Sequence, residues 1–195
     1  MNGKLINKFI TNKRFEIYKD IDTYNNNLKK AKHLYIPLSV LEVSLRNSIN
    51  NLFEKFYGAG WIINEANFLK HKEIEKILQA KSKIIENKET ITKDKLVAEL
   101  TFGFWTALFQ SVYDSKMRTN NLKQIFPNLP PKEVEVIDRK KMSSKLNHIR
   151  KFRNRVFHHE NILKDEFLDI EDKIYEILHY FDSELSQYTK DLNNE

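Results

Sequence analysis

Leu34-Tyr35-Ile36-Pro37-Leu38-Ser39-Val40-Leu41-Glu42-Val43-Ser44-Leu45-Arg46-Asn47-Ser48-Ile49-Asn50-Asn51-Leu52-Phe53-Glu54-Lys55-Phe56-Tyr57 is the stretch that decides the fold class. Leu38, Leu41, Leu45, Ile49, Leu52 and Phe56 recur every three or four residues, which lays one apolar stripe along a helix. Gly58-Ala59-Gly60 follows and predicts its end. Working outward, the same period predicts a helix over 72–86, carried by Ile74, Ile77, Leu78, Ile84 and Ile85. It predicts another over 92–113, with Thr92 as its cap and Leu96, Leu100, Phe104, Trp105, Leu108 and Val112 on its apolar face. Gly103 lies inside that helix, where Gly costs about 1 kcal/mol relative to Ala, and so predicts a close helix approach or a bend.

Phe126-Pro127-Asn128-Leu129-Pro130-Pro131 is the clearest break, and Pro131 suits the first position of the next helix. That helical region runs to about His158. A last helix spans roughly Asp165 to Leu185, on Leu168, Ile174, Ile177, Leu178, Phe181 and Leu185. Asn25-Asn26-Asn27 reads as a local turn or helix end. No stretch sustains period-two alternation, so the expectation is an all-α bundle formed as one domain over 1–195, with residues 1–33 as a helical N-terminal extension packed on it.

Composition agrees with that class. Only four Gly and four Pro leave the chain poor in turn formers. There is no Cys, which removes disulfides and thiolate metal sites and fits a reducing, cytoplasmic setting. No apolar run approaches the roughly 18 residues of a membrane span, and the first twelve residues lack a signal-peptide pattern. Lys+Arg exceeds Asp+Glu by 33 to 27, a net +6 that is compatible with a polyanion such as RNA and equally with a solvated, Lys-rich surface.

The chemistry gathers in Arg153-Asn154-Arg155-Val156-Phe157-His158-His159-Glu160. On a helix over 144–159, Leu146, Ile149, Phe152 and Val156 form the apolar face and Arg153 falls at its edge. A guanidinium there needs a carboxylate or a phosphate, because an unpaired buried charge is very costly. Asn154 and His158 lie four apart and share another face, so the amide could orient the imidazole. His158 and His159 point to different faces. Arg153 and His158 lie five apart and diverge by roughly 140° on an ideal helix, so joint work needs a bend, the long Arg reach or a second protomer. Histidine can move a proton from a ribose 2′-OH or to a 5′-oxygen leaving group, and arginine can clamp a phosphorane-like transition state. That chemistry requires no metal or other cofactor. The alternatives stay open at this level: surface histidines, and an Arg153 that only pairs with a core carboxylate. Glu42, four before Arg46, sits close enough to the Leu41/Leu45 stripe to be that carboxylate, or to make an ordinary helical ion pair with Arg46.

The segment 149–162, with its Arg-Asn-Arg-hydrophobic-x-His-His-Glu core, resembles that of Abi-like (abortive infection) proteins of the HEPN superfamily. Leu41-Glu42-Val43-Ser44-Leu45-Arg46-Asn47 resembles the family's first-helix signature, Leu100-Thr101-Phe102-Gly103-Phe104-Trp105 its Phe-Gly-Phe-Trp element, and Arg14-Phe15 with Tyr18 its N-terminal Arg-Phe-x-x-Tyr. The four elements occur in order and cover about residues 14–165. Phe157 departs from the small residue that the family often has before the His pair. The resemblance implies a HEPN-like helical bundle with additional helices and a metal-independent endoribonuclease leaving 2′,3′-cyclic phosphate and 5′-OH ends. It implies catalytic roles for Arg153, Asn154 and His158, and supporting roles for Glu42, Arg46 and His159. Arg150 and Arg155 are the expected RNA-binding cations. It also implies a homodimer with a composite site, an antitoxin partner in some systems, and a role in phage defence or toxin-mediated growth arrest. The alternative is a non-catalytic HEPN module that binds RNA or protein within a two-component defence system.

Overall fold

The leucine stripe sits on a helix that begins well before Leu34. The computed structural model describes residues 5–194; the first four residues of the expected N-terminal extension and Glu195 lie outside the described residues. After a short helix α1 (Asn12–Phe15), Asp20 caps α2 (Ile21–Tyr57), accepting from the Thr23 N–H at 2.6 Å. The Asn25-Asn26-Asn27 run is therefore inside α2, not a turn. Its physical reason is tertiary: Asn27 is buried, accepts from the Ile162 N–H at 2.8 Å and donates to the Glu160 carbonyl at 3.3 Å. Those bonds offset the low helix propensity of Asn. Gly58, at φ +79°, ends α2 as expected.

The other helices are α3 (His71–Glu86), α4 (Lys93–Glu99), α5 (Phe102–Ala107), α6 (Thr119–Ile125), α7 (Arg139–Phe157), α8 (Ile170–Phe181) and α9 (Ser183–Asn194). The fold is all-α, with no strand among the described residues. Helix α2 is the central strut and packs against α4, α5, α6, α8 and α9. Leu34, Leu38, Leu41, Leu45, Ile49 and Leu52 are all buried on it, but Phe56 is 50% exposed and Phe53 takes the core position instead. Leu78, Ile85, Val112 and Leu168 are likewise on the surface rather than in the core. Among the described residues no helix is long and apolar enough to cross a membrane.

The expected single helix over 92–113 is broken twice. Thr92 does cap α4, accepting from the Lys95 N–H at 3.3 Å. Leu100 and Thr101 are then extended, and Gln110 is extended again. Side chains take the freed groups at the first break: the Glu42 carboxylate accepts from the Phe102 N–H, and the Trp105 indole donates to the Leu100 carbonyl. Gly103 is not the bend; it faces α7, where an added Cβ would come to 3.9 Å from Arg150 Cδ. Pro131 opens only a turn, and α7 starts later, where Asp138 accepts from the Lys141 N–H at 2.7 Å. The expected last helix is divided at an extended Asp182, whose carboxylate caps α9.

Candidate active site

Arg153 lies at the edge of the α7 core face, as its spacing implies. Its Nη2 is 3.1 Å from Glu42 Oε2 and its Nε donates to the same oxygen at 3.2 Å. Side-chain exposures of 22% and 19% put the pair at the boundary of the core, where screening is reduced but not absent. The Glu42 carboxylate also accepts from Phe102 N–H at 3.1 Å. That amide belongs to the open first turn of α5, so one carboxylate satisfies both a guanidinium and a helix start. Phe157, four residues after Arg153, lies under the guanidinium at 4.0 Å from ring centroid to Cζ, and its other neighbour is Tyr35. The large residue before the His pair thus steadies Arg153.

Arg46 does not join this pair. It donates to the Ala98 carbonyl at 3.5 Å, and its buried Nε has no hydrogen-bond partner among the described residues. Asn154 contributes through its backbone: its carbonyl accepts from the His158 N–H at 2.9 Å. The expected amide–imidazole bond is absent, and neither imidazole of the pair has a side-chain partner among the described residues.

Helix α7 ends at Phe157, which changes the geometry of the two histidines. The His159 N–H bonds back to the Val156 carbonyl and the Glu160 N–H to the Arg155 carbonyl, with His159 at φ +55°. This is a Schellman end with His where Gly is usual. The helix has stopped before the pair, and both His158 and His159 line one cavity of about 560 Å3. Lys13, Arg14, Arg155 and Lys164 bring positive charge to its walls. Arg14 donates to the carbonyls of both His158 and His159, and so fastens the N-terminal segment over the helix end. Tyr18 is buried beside it, and burial raises its pKa, so the phenol stays protonated. Arg155 is partly committed, bridging the Glu160 carboxylate at 2.9 Å and the Asn161 carbonyl at 3.1 Å.

The cavity brings His158, His159 and Arg155 together but does not include Arg153, Asn154, Glu42, Arg46 or Arg150. Arg150 lines a different cavity with Lys70, Lys72 and Lys76. Lys13 and Lys164 gave no sequence signal, because isolated lysines in a Lys-rich chain are indistinguishable before folding. Asn27, which holds the loop after His159, was hidden in an Asn run. Among the described residues no group of three or more His, Asp and Glu is arranged to hold a metal ion. No protein family, no curated protein and no solved structure matches the chain.

Proposed function

We propose that the chain is a metal-independent endoribonuclease of the HEPN type, acting in phage defence or as a growth-arresting toxin. The observation that carries this reading is convergence. Elements far apart in sequence, each resembling a family signature, meet on one segment: Arg14 on the carbonyls of His158 and His159, Glu42 on Arg153, and Phe102 N–H on Glu42. In the proposed reaction a His158 imidazole takes the proton of a ribose 2′-OH. The 2′-oxygen attacks phosphorus, the bond from phosphorus to the 5′-oxygen breaks, and that oxygen leaves with the proton that the imidazolium gives back. The products are a 2′,3′-cyclic phosphate and a 5′-OH end. Arg153 stabilises charge on the pentacovalent phosphorus oxygens, Asn154 holds the helix end that carries His158, and Arg150 and Arg155 bind flanking phosphates. Because His158 and Arg153 do not share a cavity, the reading includes a homodimer that supplies one from each protomer.

The test follows a defined single-stranded RNA with the purified protein and reads both rate and end groups. Arg153→Ala and His158→Ala should each slow cleavage by at least about 100-fold. If both variants cleave like the parent, this site assignment is wrong.

One observation favours a second reading. The charge of Arg153 is already matched by Glu42 within the chain. A non-catalytic module that binds RNA or a partner protein would use Arg153 only for packing. It would bind RNA without cleaving it under any condition.

A further inference from the structure

The histidine cavity holds a donor that the proposed reaction leaves unused. Tyr18 ends the single turn Glu16–Tyr18 after α1. It is only 2% exposed, yet it lines the cavity with His158 and His159. Its ring packs edge-on against Tyr24, with 5.1 Å between centroids. Its hydroxyl has no hydrogen-bond partner among the described residues. The unpartnered polar atoms of Arg46, Thr106 and His148 are sealed from solvent; the Tyr18 hydroxyl is not sealed, and it opens where the residue meets the cavity. A buried tyrosine hydroxyl ordinarily finds a partner. Here a group in the cavity is what can supply one.

The other walls favour an anion. Neither imidazole has a side-chain partner, and the Lys13 ammonium is unpaired among the described residues. The Lys164 ammonium has only Glu166, at 4.0 Å. One carboxylate, Glu160, lines the cavity, and Arg155 holds it at 2.9 Å. Arg14 is spent on the backbone: it donates to the carbonyls of His158 and His159, and so ties both histidines to the segment that carries Tyr18. Asn27 and Arg155 hold the residues that follow, at Glu160, Asn161 and Ile162. The donors are therefore placed by the fold before a ligand arrives. Burial raises the Tyr18 pKa against the opposing charge of Arg14, so the phenol remains a donor at neutral pH. These donors come from two segments, 13–18 and 158–164, that wall one cavity. A tetrahedral phosphate, with oxygens in several directions, can meet both; a planar carboxylate has two oxygens in one plane.

We propose that Tyr18 is a substrate-binding residue of the histidine cavity, its hydroxyl donating to an oxygen of a phosphate ester that His158, His159, Lys13 and Lys164 surround. At about 560 Å3 the cavity has room for a nucleotide around that phosphate. The ester is on a free nucleotide or within a strand. The proposal deepens the nuclease reading and rests on it in one respect, that a strand phosphate seated here is the one beside which His158 acts. Binding itself requires no cleavage. Arg153 does not line this cavity, and Tyr18 with the two lysines gives it an anion contact of its own.

The experiment titrates the full chain with inorganic phosphate, adenosine 5′-monophosphate and a short oligodeoxyuridylate, each at constant ionic strength held with chloride. The DNA strand has no 2′-OH, so it persists with both histidines in place. Binding is read by calorimetry and by the imidazole proton signals of His158 and His159. Phosphate and the mononucleotide should shift both signals beyond the chloride control. Tyr18→Phe removes one unpartnered hydroxyl, so it should melt like the parent, yet bind phosphate about tenfold more weakly. Lys164→Gln should weaken phosphate as well, and it carries the test if Tyr18→Phe fails to fold. If the variants also weaken the oligodeoxyuridylate, the cavity takes a strand phosphate; if they weaken only phosphate and the mononucleotide, it takes a free one. The proposal is overturned if phosphate does no more than chloride, or if folded Tyr18→Phe binds it like the parent. RNA cleavage by a parent that binds no phosphate would overturn this assignment and spare the nuclease; phosphate binding by a parent that never cleaves RNA would do the reverse.

Discussion

Glu42 satisfies two partners with one carboxylate, the Arg153 guanidinium and the Phe102 N–H. Glu42→Ala leaves both donors partly buried and unpaired, which should cost about 1–3 kcal/mol in chemical denaturation. The double variant Glu42→Ala/Arg153→Ala removes the stranded charge and should cost less than the sum of the singles. Additive losses would mean that the pair contributes nothing of its own. At His159 the expected sign is opposite. A non-Gly residue at φ +55° is strained by about 1 kcal/mol, so His159→Gly should raise stability by up to that amount in the same assay. The strain persists where the chain also places an exposed imidazole on a cationic cavity, which is where function is expected to tolerate it. The ion pair was legible in the sequence, because an Arg at a core edge demands a carboxylate and Glu42 flanks the leucine stripe. The His159 cap was not, because the left-handed turn has no Gly to announce it.

At the scale of the element, α7 is positioned from both ends and from one side. Asp138 caps its start, Arg14 fastens the carbonyls at its end, and His148 sits midway against the Phe167 ring. Burial, reinforced by Lys173 and opposed by Asp169 and Glu166, holds the His148 pKa below its ordinary 6.5. The native state therefore resists taking a proton that the unfolded chain accepts. Stability from this group is complete above about pH 6.5 and is lost as pH falls through the lowered native value. His148→Leu should remove that part of the loss, so its denaturation midpoint should fall less than the parent's between about pH 7.5 and pH 5. Equal falls would place the pH dependence elsewhere. Element existence followed from apolar period, as α2, α3 and α7 show. Boundaries did not follow where tertiary partners replace local signals. The break at Leu100–Thr101 is stabilised by Glu42 and Trp105, and the Asn run stays helical because Asn27 bonds the loop at Glu160 and Ile162. Apart from Trp105, five residues from Leu100, none of those partners is local in sequence.

For the whole molecule, the separation of Arg153 from the histidine cavity carries the strongest consequence. Arg153 faces Glu42 and the Phe157 ring, whereas His158 opens to a cavity walled by Arg14 and Lys164. If the proposed nuclease works as a dimer, each site takes Arg153 from one protomer and His158 from the other. Homodimers of Arg153→Ala or of His158→Ala then lack one group at both sites. A heterodimer of the two variants differs: one site lacks both groups, and the other has an intact pair. Mixing the two inactive proteins under conditions that allow subunit exchange should therefore restore RNA cleavage to a substantial fraction of the parent's rate, with the same end groups. A site formed within a single chain predicts no recovery, since every chain in the mixture is defective. Recovery would also require that subunits exchange, which mass measurement of the mixed species checks directly. Exchange without recovery would assign both groups to a site within a single chain.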